Sequence, residues 1–267
     1  MVKIMTVYII TDLEGASGVD RMEQVGEEGT EGHRYAKKRL TADLNAAIAG
    51  CFDGGADKVW IFDGHGSGGL VYEDIDKRAL IPQDRYQWEE VVINGEIDLF
   101  MEVGAHAMAG TQNGFLDHTQ NSRQWYNYYV NGRKMGETGQ LALFAGAYDI
   151  PFCMLAGDEA ACVEAKALLG DIETAVVKYG IGRNQAKLEP LEVAEQRIHN
   201  AAKAAMQRAL AGEFKPYKPI MPLEIKLELY RSDFCDEKAK QDNVERLDAR
   251  TLRKTVTEIA HYRDIMI

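Results

Sequence analysis

The sequence predicts an α/β fold: a mainly parallel central sheet flanked by helices, with a smaller C-terminal α+β part. Three observations carry that reading. Met5-Thr6-Val7-Tyr8-Ile9-Ile10-Thr11 is a β-branched, nearly continuous apolar run, of the kind buried on both faces of a parallel sheet. A helical pattern and a second apolar strand follow, and strand–helix–strand in that order argues for a right-handed parallel crossover. Much later, Leu223, Ile225, Leu227 and Leu229 alternate with Glu224, Lys226, Glu228 and Tyr230, the two-residue period of a strand with one dry face.

The elements follow in order. After a polar, glycine-containing connection, Leu40, Leu44, Ala47 and Ile48 recur at three- and four-residue spacing and predict a helix over about 34–52, which Gly54-Gly55 stops. Lys58-Val59-Trp60-Ile61-Phe62 is the second strand and ends in Asp63-Gly64-His65-Gly66. Further strands are expected over 99–103, 152–156 and 174–179. Asn131-Gly132, between 126–130 and 133–135, is a tight-hairpin signal. One helix should start near Gly136. Another, capped by Asp158, should carry Ala160, Val163, Ala167 and Leu168. Past Gly182 the texture changes to a long Ala- and charge-rich helix over about 193–210 and a proline-bearing linker over 215–222. This places a domain boundary near 185, dividing a metal-binding catalytic α/β domain (1–185) from a smaller C-terminal domain (186–267).

The balance of 31 basic against 42 acidic residues gives a formal charge of −11, a surface that repels phosphate backbones, so no nucleic-acid partner is expected. No apolar run approaches the roughly 20 residues that cross a bilayer, and the start reads as a strand rather than a signal peptide. A cytoplasmic location with no membrane partner is the expectation. Cys51, Cys153, Cys162 and Cys235 form no close pair and read as packing residues.

Chemistry concentrates where strands end. Ligands of open α/β sheets gather outside the carboxyl ends of strands. Asp12 and Glu14 close the first strand, and their spacing of two puts both carboxylates on one side of an extended backbone. Two such charges favour a compensating cation, although a solvated loop or helix cap would look the same. His65 follows the second strand and His106 the third, through Gly104-Ala105. Nitrogen and oxygen donors without thiolate suit zinc, with other divalent ions admissible. His118, in a polar loop, is open to a role as ligand or as catalytic acid. Glu137 stands at a helix start, where the helix dipole alone could hold it.

The order and spacing of these motifs resemble the zinc-dependent D-aminopeptidase family found with bacterial dipeptide-transport operons. Thr11-Asp12-Leu13-Glu14-Gly15-Ala16-Ser17-Gly18 resembles that family's opening signature. Asp63 and His65, Gly104-Ala105-His106-Ala107, His118, Asn131-Gly132-Arg133, Gly136-Glu137, Tyr148-Asp149-Ile150-Pro151 and Ala156-Gly157-Asp158 follow in family order, over about 4–180. The resemblance implies two zinc ions held by Asp12, Glu14, His65, His106 and Glu137, with His118 in a catalytic role. Asp12 is the expected bridge, Glu14 with His65 completing one metal and His106 with Glu137 the other. Three carboxylates and one zinc-activated hydroxide nucleophile would balance the charge of the pair. Asp63 is expected to orient a ligand imidazole. The implied activity is removal of N-terminal, D-configured residues from short peptides by a homo-oligomer of ten subunits. Two rival readings stand beside it. One is a metal-dependent phosphoesterase, which would need basic residues such as Arg123 and Arg133 beside the ligands. The other is a non-catalytic, metal-stabilised peptide-binding assembly.

Overall fold

Strand β1 (Thr6–Thr11) is buried along its whole length because it lies in the middle of a sheet covered on both faces. Val7 and Ile9 face one apolar cluster, and Tyr8 and Ile10 face the other. This explains the unbroken apolar run, since alternation disappears when both faces are dry. The computed structural model describes residues 4–83 and 87–267.

From β1 the chain passes through a short helix α1 (Glu23–Gly26) into α2 (Glu31–Asp53). Helix α2 begins three residues before the expected 34, because the Thr30 hydroxyl accepts from His33 N at 3.2 Å and caps it. Then come β2 (Lys58–Asp63), α3 (Trp88–Ile93) and β3 (Leu99–Ala105). The hairpin β4 (Trp125–Val130) and β5 (Arg133–Lys134) precedes α4 (Glu137–Ala147), β6 (Phe152–Asp158) and α5 (Glu159–Leu169), the last capped by Asp158 as the sequence predicts. Strands β7 (Glu173–Gly182) and β8 (Gln185–Leu188) lead into α6 (Leu191–Leu210). Strand β9 (Leu223–Leu229), α7 (Ser232–Lys238), β10 (Val244–Arg246) and β11 (Thr251–Val256) complete the chain.

One sheet runs in the order β2-β1-β3-β6-β7-β8, parallel except for the antiparallel edge strand β8. Helices α2 and α6 cover one face, with Leu40, Leu44 and Ile48 against Ala194, Ile198 and Ala202. The other face carries α4, α5 and the second sheet, ordered β10-β11-β9-β4-β5 and antiparallel. Leu223, Ile225, Leu227 and Leu229 of β9 are buried there, so the dry face read in the sequence is core.

The two sheets do not divide at residue 185. The β4–β5 hairpin, N-terminal to that position, pairs with β9 through Tyr128 and Leu227, while α6, C-terminal to it, packs on the first sheet. Strand β4 of the hairpin is paired by β9, and its apolar residues Trp125, Tyr128 and Val130 join the cluster between the sheets. All four cysteines are buried and unpaired. Burial pushes the thiols of Cys51 and Cys162 up to about 12, in keeping with packing roles.

Candidate metal centre

The site lies at the carboxyl end of the first sheet, where β1, β2 and β3 finish side by side. Asp12 N donates to Val103 O at 2.9 Å and Gly15 N to Gly104 O at 2.7 Å, so the turn after β1 is laid on the end of β3. Two glycines permit this approach. Gly104 has φ +85°, and a Cβ on it would overlap the Asp12 carbonyl; a Cβ on Gly15 would overlap the carbonyl of Ala105. The close approach sets Asp12 and Glu14 beside His106.

His65 is carried by the turn after β2. The Asp63 carboxylate accepts from Gly69 N at 2.9 Å and Leu70 N at 3.1 Å and so fastens that turn. Ser67 Oγ lies 3.1 Å from His65 Nδ1. Asp63 therefore holds the loop's shape, and Ser67, which the sequence reading did not single out, touches the ring.

His118 sits on a strained segment. Asn113, Leu116 and Gln120 have φ of 59°, 50° and 59°, a left-handed conformation that is costly for leucine above all. Leu116 N is held by Arg183 O at 2.6 Å and Phe115 N by the buried Asp158 carboxylate at 2.8 Å. The His118 ring stacks on His106 with centroids 4.0 Å apart and planes 8° from parallel. Glu137 is the first residue of α4, and its Oε1 accepts from Gln120 N at 2.6 Å.

The tautomers show what this arrangement can hold. His106 Nδ1 lies 3.0 Å from Ala107 O and His118 Nδ1 2.8 Å from Leu116 O. A carbonyl only accepts, so both Nδ1 atoms carry the proton. In a neutral ring each Nε2 then presents a lone pair. That of His106 points at Asp12 Oδ2, 3.2 Å away, and Glu137 Oε1, 3.4 Å away. Buried acceptors facing one another repel unless a proton or a cation lies among them. His106 Nε2 and Glu14 Oε2 are both buried without a hydrogen-bond partner, as expected of atoms that each face a cation. Two triads have donor atoms within 4.8 Å of one another: Asp12, Glu14 and His65, and His106, His118 and Glu137. The Asp12–His106 contact joins them. The residues present fit a pair of divalent cations.

Without a cation the charges compete. Burial, and the neighbouring Glu14 after it, push the Asp12 carboxyl up to about 7. Burial also disfavours charge on Glu14, but hydrogen bonding and the charge of His65 overcome it and hold Glu14 well below the carboxylate range. The same contact lifts His65 to about 9 against its own burial. Burial opposes charge on His106 too, yet Asp12 and Glu137 drive that imidazole well above its ordinary value. His118 goes the other way: burial, then the charge of His106, hold it below the usual range. Protons on His65 and His106 thus offset part of the negative charge that cations would balance.

A profile of the D-aminopeptidase family matches residues 5–266. The chain belongs to the D-aminopeptidase family. As a member it is a peptide hydrolase of the aminopeptidase type, and membership displaces both the phosphoesterase and the non-catalytic readings. It is similar to the D-aminopeptidase of Bacillus subtilis (strain 168), with 30% identity over 227 residues, 82% of this chain and 81% of that one. A solved structure described as the Zn-dependent D-aminopeptidase DppA from Bacillus subtilis, a self-compartmentalizing protease, superposes with a TM-score of 0.89 at 24% identity. That match covers 98% of this chain and 95% of the other, and it shows that the D-aminopeptidase fold extends through the C-terminal sheet.

Several residues around this D-aminopeptidase site escaped the sequence reading. Lys178 of β7 is fully buried, and its Nζ donates to Glu14 O at 2.6 Å and Val19 O at 2.8 Å. Glu102 of β3 is buried beside the site, accepts from Thr138 Oγ1 at 2.7 Å, and is pushed up to about 8 by burial. Gln120 fastens Glu137 to Gln140, and Arg183 fastens Leu116. A lone Lys in a strand pattern was the only available signal for the first. Arg133, weighed as a phosphate-holding residue, instead donates from Nη2 to Ala167 O on the outer surface.

Proposed function

We propose that this aminopeptidase binds two zinc ions through Asp12, Glu14, His65, His106 and Glu137, and that it removes D-configured N-terminal residues from short peptides. The observation that carries the reading is that a carbonyl holds His106 Nδ1, so that Nε2 is the atom facing the acidic cluster, 3.2 Å from Asp12 and 3.4 Å from Glu137. Asp12 touches both triads and is the candidate bridge. Glu14 and His65, 3.6 Å apart, would complete one ion, and His106 with Glu137 the other. The Zn-dependence of the Bacillus subtilis neighbour supports the choice of metal. Zinc would supply a water of pKa about 7 and polarisation of the scissile carbonyl.

The chain's own residues provide orientation and proton transfer. His118 is proposed as the catalytic residue. Its Nδ1–H is committed to Leu116 O, and its lowered pKa leaves Nε2 unprotonated near neutrality. Nε2 is thereby ready to take a proton from the attacking water and return it to the leaving nitrogen. Since His118 also lies within ligand distance of His106 and Glu137, metal content in a His118→Ala variant separates catalyst from ligand.

No helix among the described residues is long and apolar enough to cross a membrane. We place the protein in the cytoplasm as a homo-oligomer, with ten subunits the proposed number. The self-compartmentalizing neighbour supports assembly, and light scattering would give the count. The proposed 1–185 and 186–267 division crosses the β4–β9 pairing, and expressing each piece tests it. The test of function incubates zinc-loaded protein with D-alanyl and L-alanyl dipeptides, with and without N-acetylation. Cleavage restricted to the unblocked D-peptides supports the reading, and cleavage of acetylated peptides refutes an aminopeptidase.

A further inference from the structure

Two cavities meet at the proposed metal cluster, one aromatic and acidic, the other mixing carboxylates with two arginines, and Asp12 and Glu137 line both. The first, about 330 Å³, is walled by Phe62, Trp88 and Tyr262, with Glu89 and Glu102 as its further acids and no Lys or Arg among its described lining residues. The Phe62 and Trp88 rings stack at 5.3 Å, and Tyr262 meets Trp88 edge-on at 5.4 Å, so the wall is a packed aromatic surface. Glu102 is only 4% exposed. The second cavity, about 420 Å³, carries His118, Arg123 and Arg183. The same three side chains also line an adjoining cavity of about 280 Å³.

From this juxtaposition we infer the polarity of the substrate: the N-terminal residue enters the aromatic, carboxylate-bearing cavity, and Arg123 and Arg183 receive the free C-terminal carboxylate of a short peptide. The inference rests on the peptidase reading above and adds a specificity that reading lacks. A protonated amine is attracted by aromatic faces and carboxylates, and a carboxylate in the same place is repelled by both. Guanidinium groups match a carboxylate's geometry and bind it through charge-assisted bonds. The cation side is not uniformly basic. Glu14 and Glu28 line the same cavity, and Arg183 Nε lies 3.5 Å from Asp117 Oδ1. Arg123 forms no ion pair among the described residues, which leaves it the stronger contributor. Both arginines are exposed, so their heads can follow a ligand. Peptides extended at their C-terminus or amidated there would lose this contact, which gives the site a length limit as well as a direction.

The experiment compares D-alanyl-D-alanine with its C-terminal amide, using zinc-loaded parent protein, Arg123→Ala, Arg183→Ala, the double variant and Arg123→Lys. Bound zinc and the melting temperature are checked for each. The parent should prefer the free acid by about tenfold in kcat/KM, the worth of one charge-assisted contact near the surface. In the double variant the acid-to-amide ratio should fall toward one. The loss should appear in KM, as for binding uniform to ground and transition states, and Arg123→Lys should recover part of it. Equal turnover of acid and amide by the parent, or a preference that survives in the double variant, overturns the assignment and leaves the peptidase reading standing. No cleavage of either peptide by parent protein with zinc bound would sink the peptidase reading and this inference together.

Discussion

Replacing Lys178 by methionine removes a buried amine that donates to the carbonyls of Glu14 and Val19 and lies 4.6 Å above the Phe115 ring. Burial drives this amine from its ordinary 10.5 down to about 7. The folded chain therefore releases the proton near pH 7 and the unfolded chain near 10.5. Between those values the unfolded state binds more protons, so the parent's stability rises with pH. At about 1.4 kcal/mol per unit, and with the folded group half-titrated at the lower end, the rise from pH 7 to pH 10 is on the order of 3–4 kcal/mol. A neutral amine keeps two N–H donors, so both carbonyls stay satisfied throughout. Lys178→Met has no titrating group and leaves two buried acceptors unpaired, at about 1–3 kcal/mol each. The variant should be close to the parent at pH 7 and several kcal/mol less stable at pH 10. Urea unfolding of both proteins, chelator-treated so that metal binding does not enter, gives this difference, because titrations of groups away from Lys178 cancel. A difference that stays constant within 1 kcal/mol across that range would refute the claim that Lys178 is buried as a depressed amine.

Four further outcomes follow from the site. Gly104→Ala forces a Cβ into the Asp12 carbonyl at a φ of +85° and should cost on the order of 3 kcal/mol or more, with loss of zinc binding, read by thermal melts and metal analysis. Glu137→Ala should lower bound zinc below the parent's content on mass spectrometry; full retention would remove Glu137 from the ligand set. His118→Ala should keep its zinc while kcat falls by about 10²–10⁴, the range for a lost acid–base group, whereas metal loss would make His118 a ligand. Chelation should abolish activity and lower the unfolding midpoint, since ligand at a thousandfold its dissociation constant contributes about 4 kcal/mol.

What was legible in the sequence had local causes. Strand β1 could be read because its burial on both faces leaves an unbroken apolar run, and β9 because its single dry face leaves strict alternation. Asp12, His65 and His106 stood out because strand ends in a parallel sheet converge by topology. The missing parts are non-local. Nothing near Tyr126–Val130 says that the hairpin pairs with β9, almost a hundred residues later. Strands β10 and β11 are short and carry Arg, Lys and Glu on their exposed faces, so the two-residue pattern is diluted. Lys178 and Glu102 sit in strands as isolated polar residues, and only three-dimensional packing shows that one supports the Glu14 turn and the other lines the aromatic cavity. Asp63 was assigned to an imidazole and serves a turn, because a carboxylate two residues from a histidine can reach either.

The most direct test of the metal account is a zinc titration of chelator-treated protein, with hydrolysis of D-alanyl-D-alanine followed at each step. The account predicts no activity without metal and a plateau at two zinc ions per chain. Full activity without zinc, or no hydrolysis with two zinc ions bound, would contradict it.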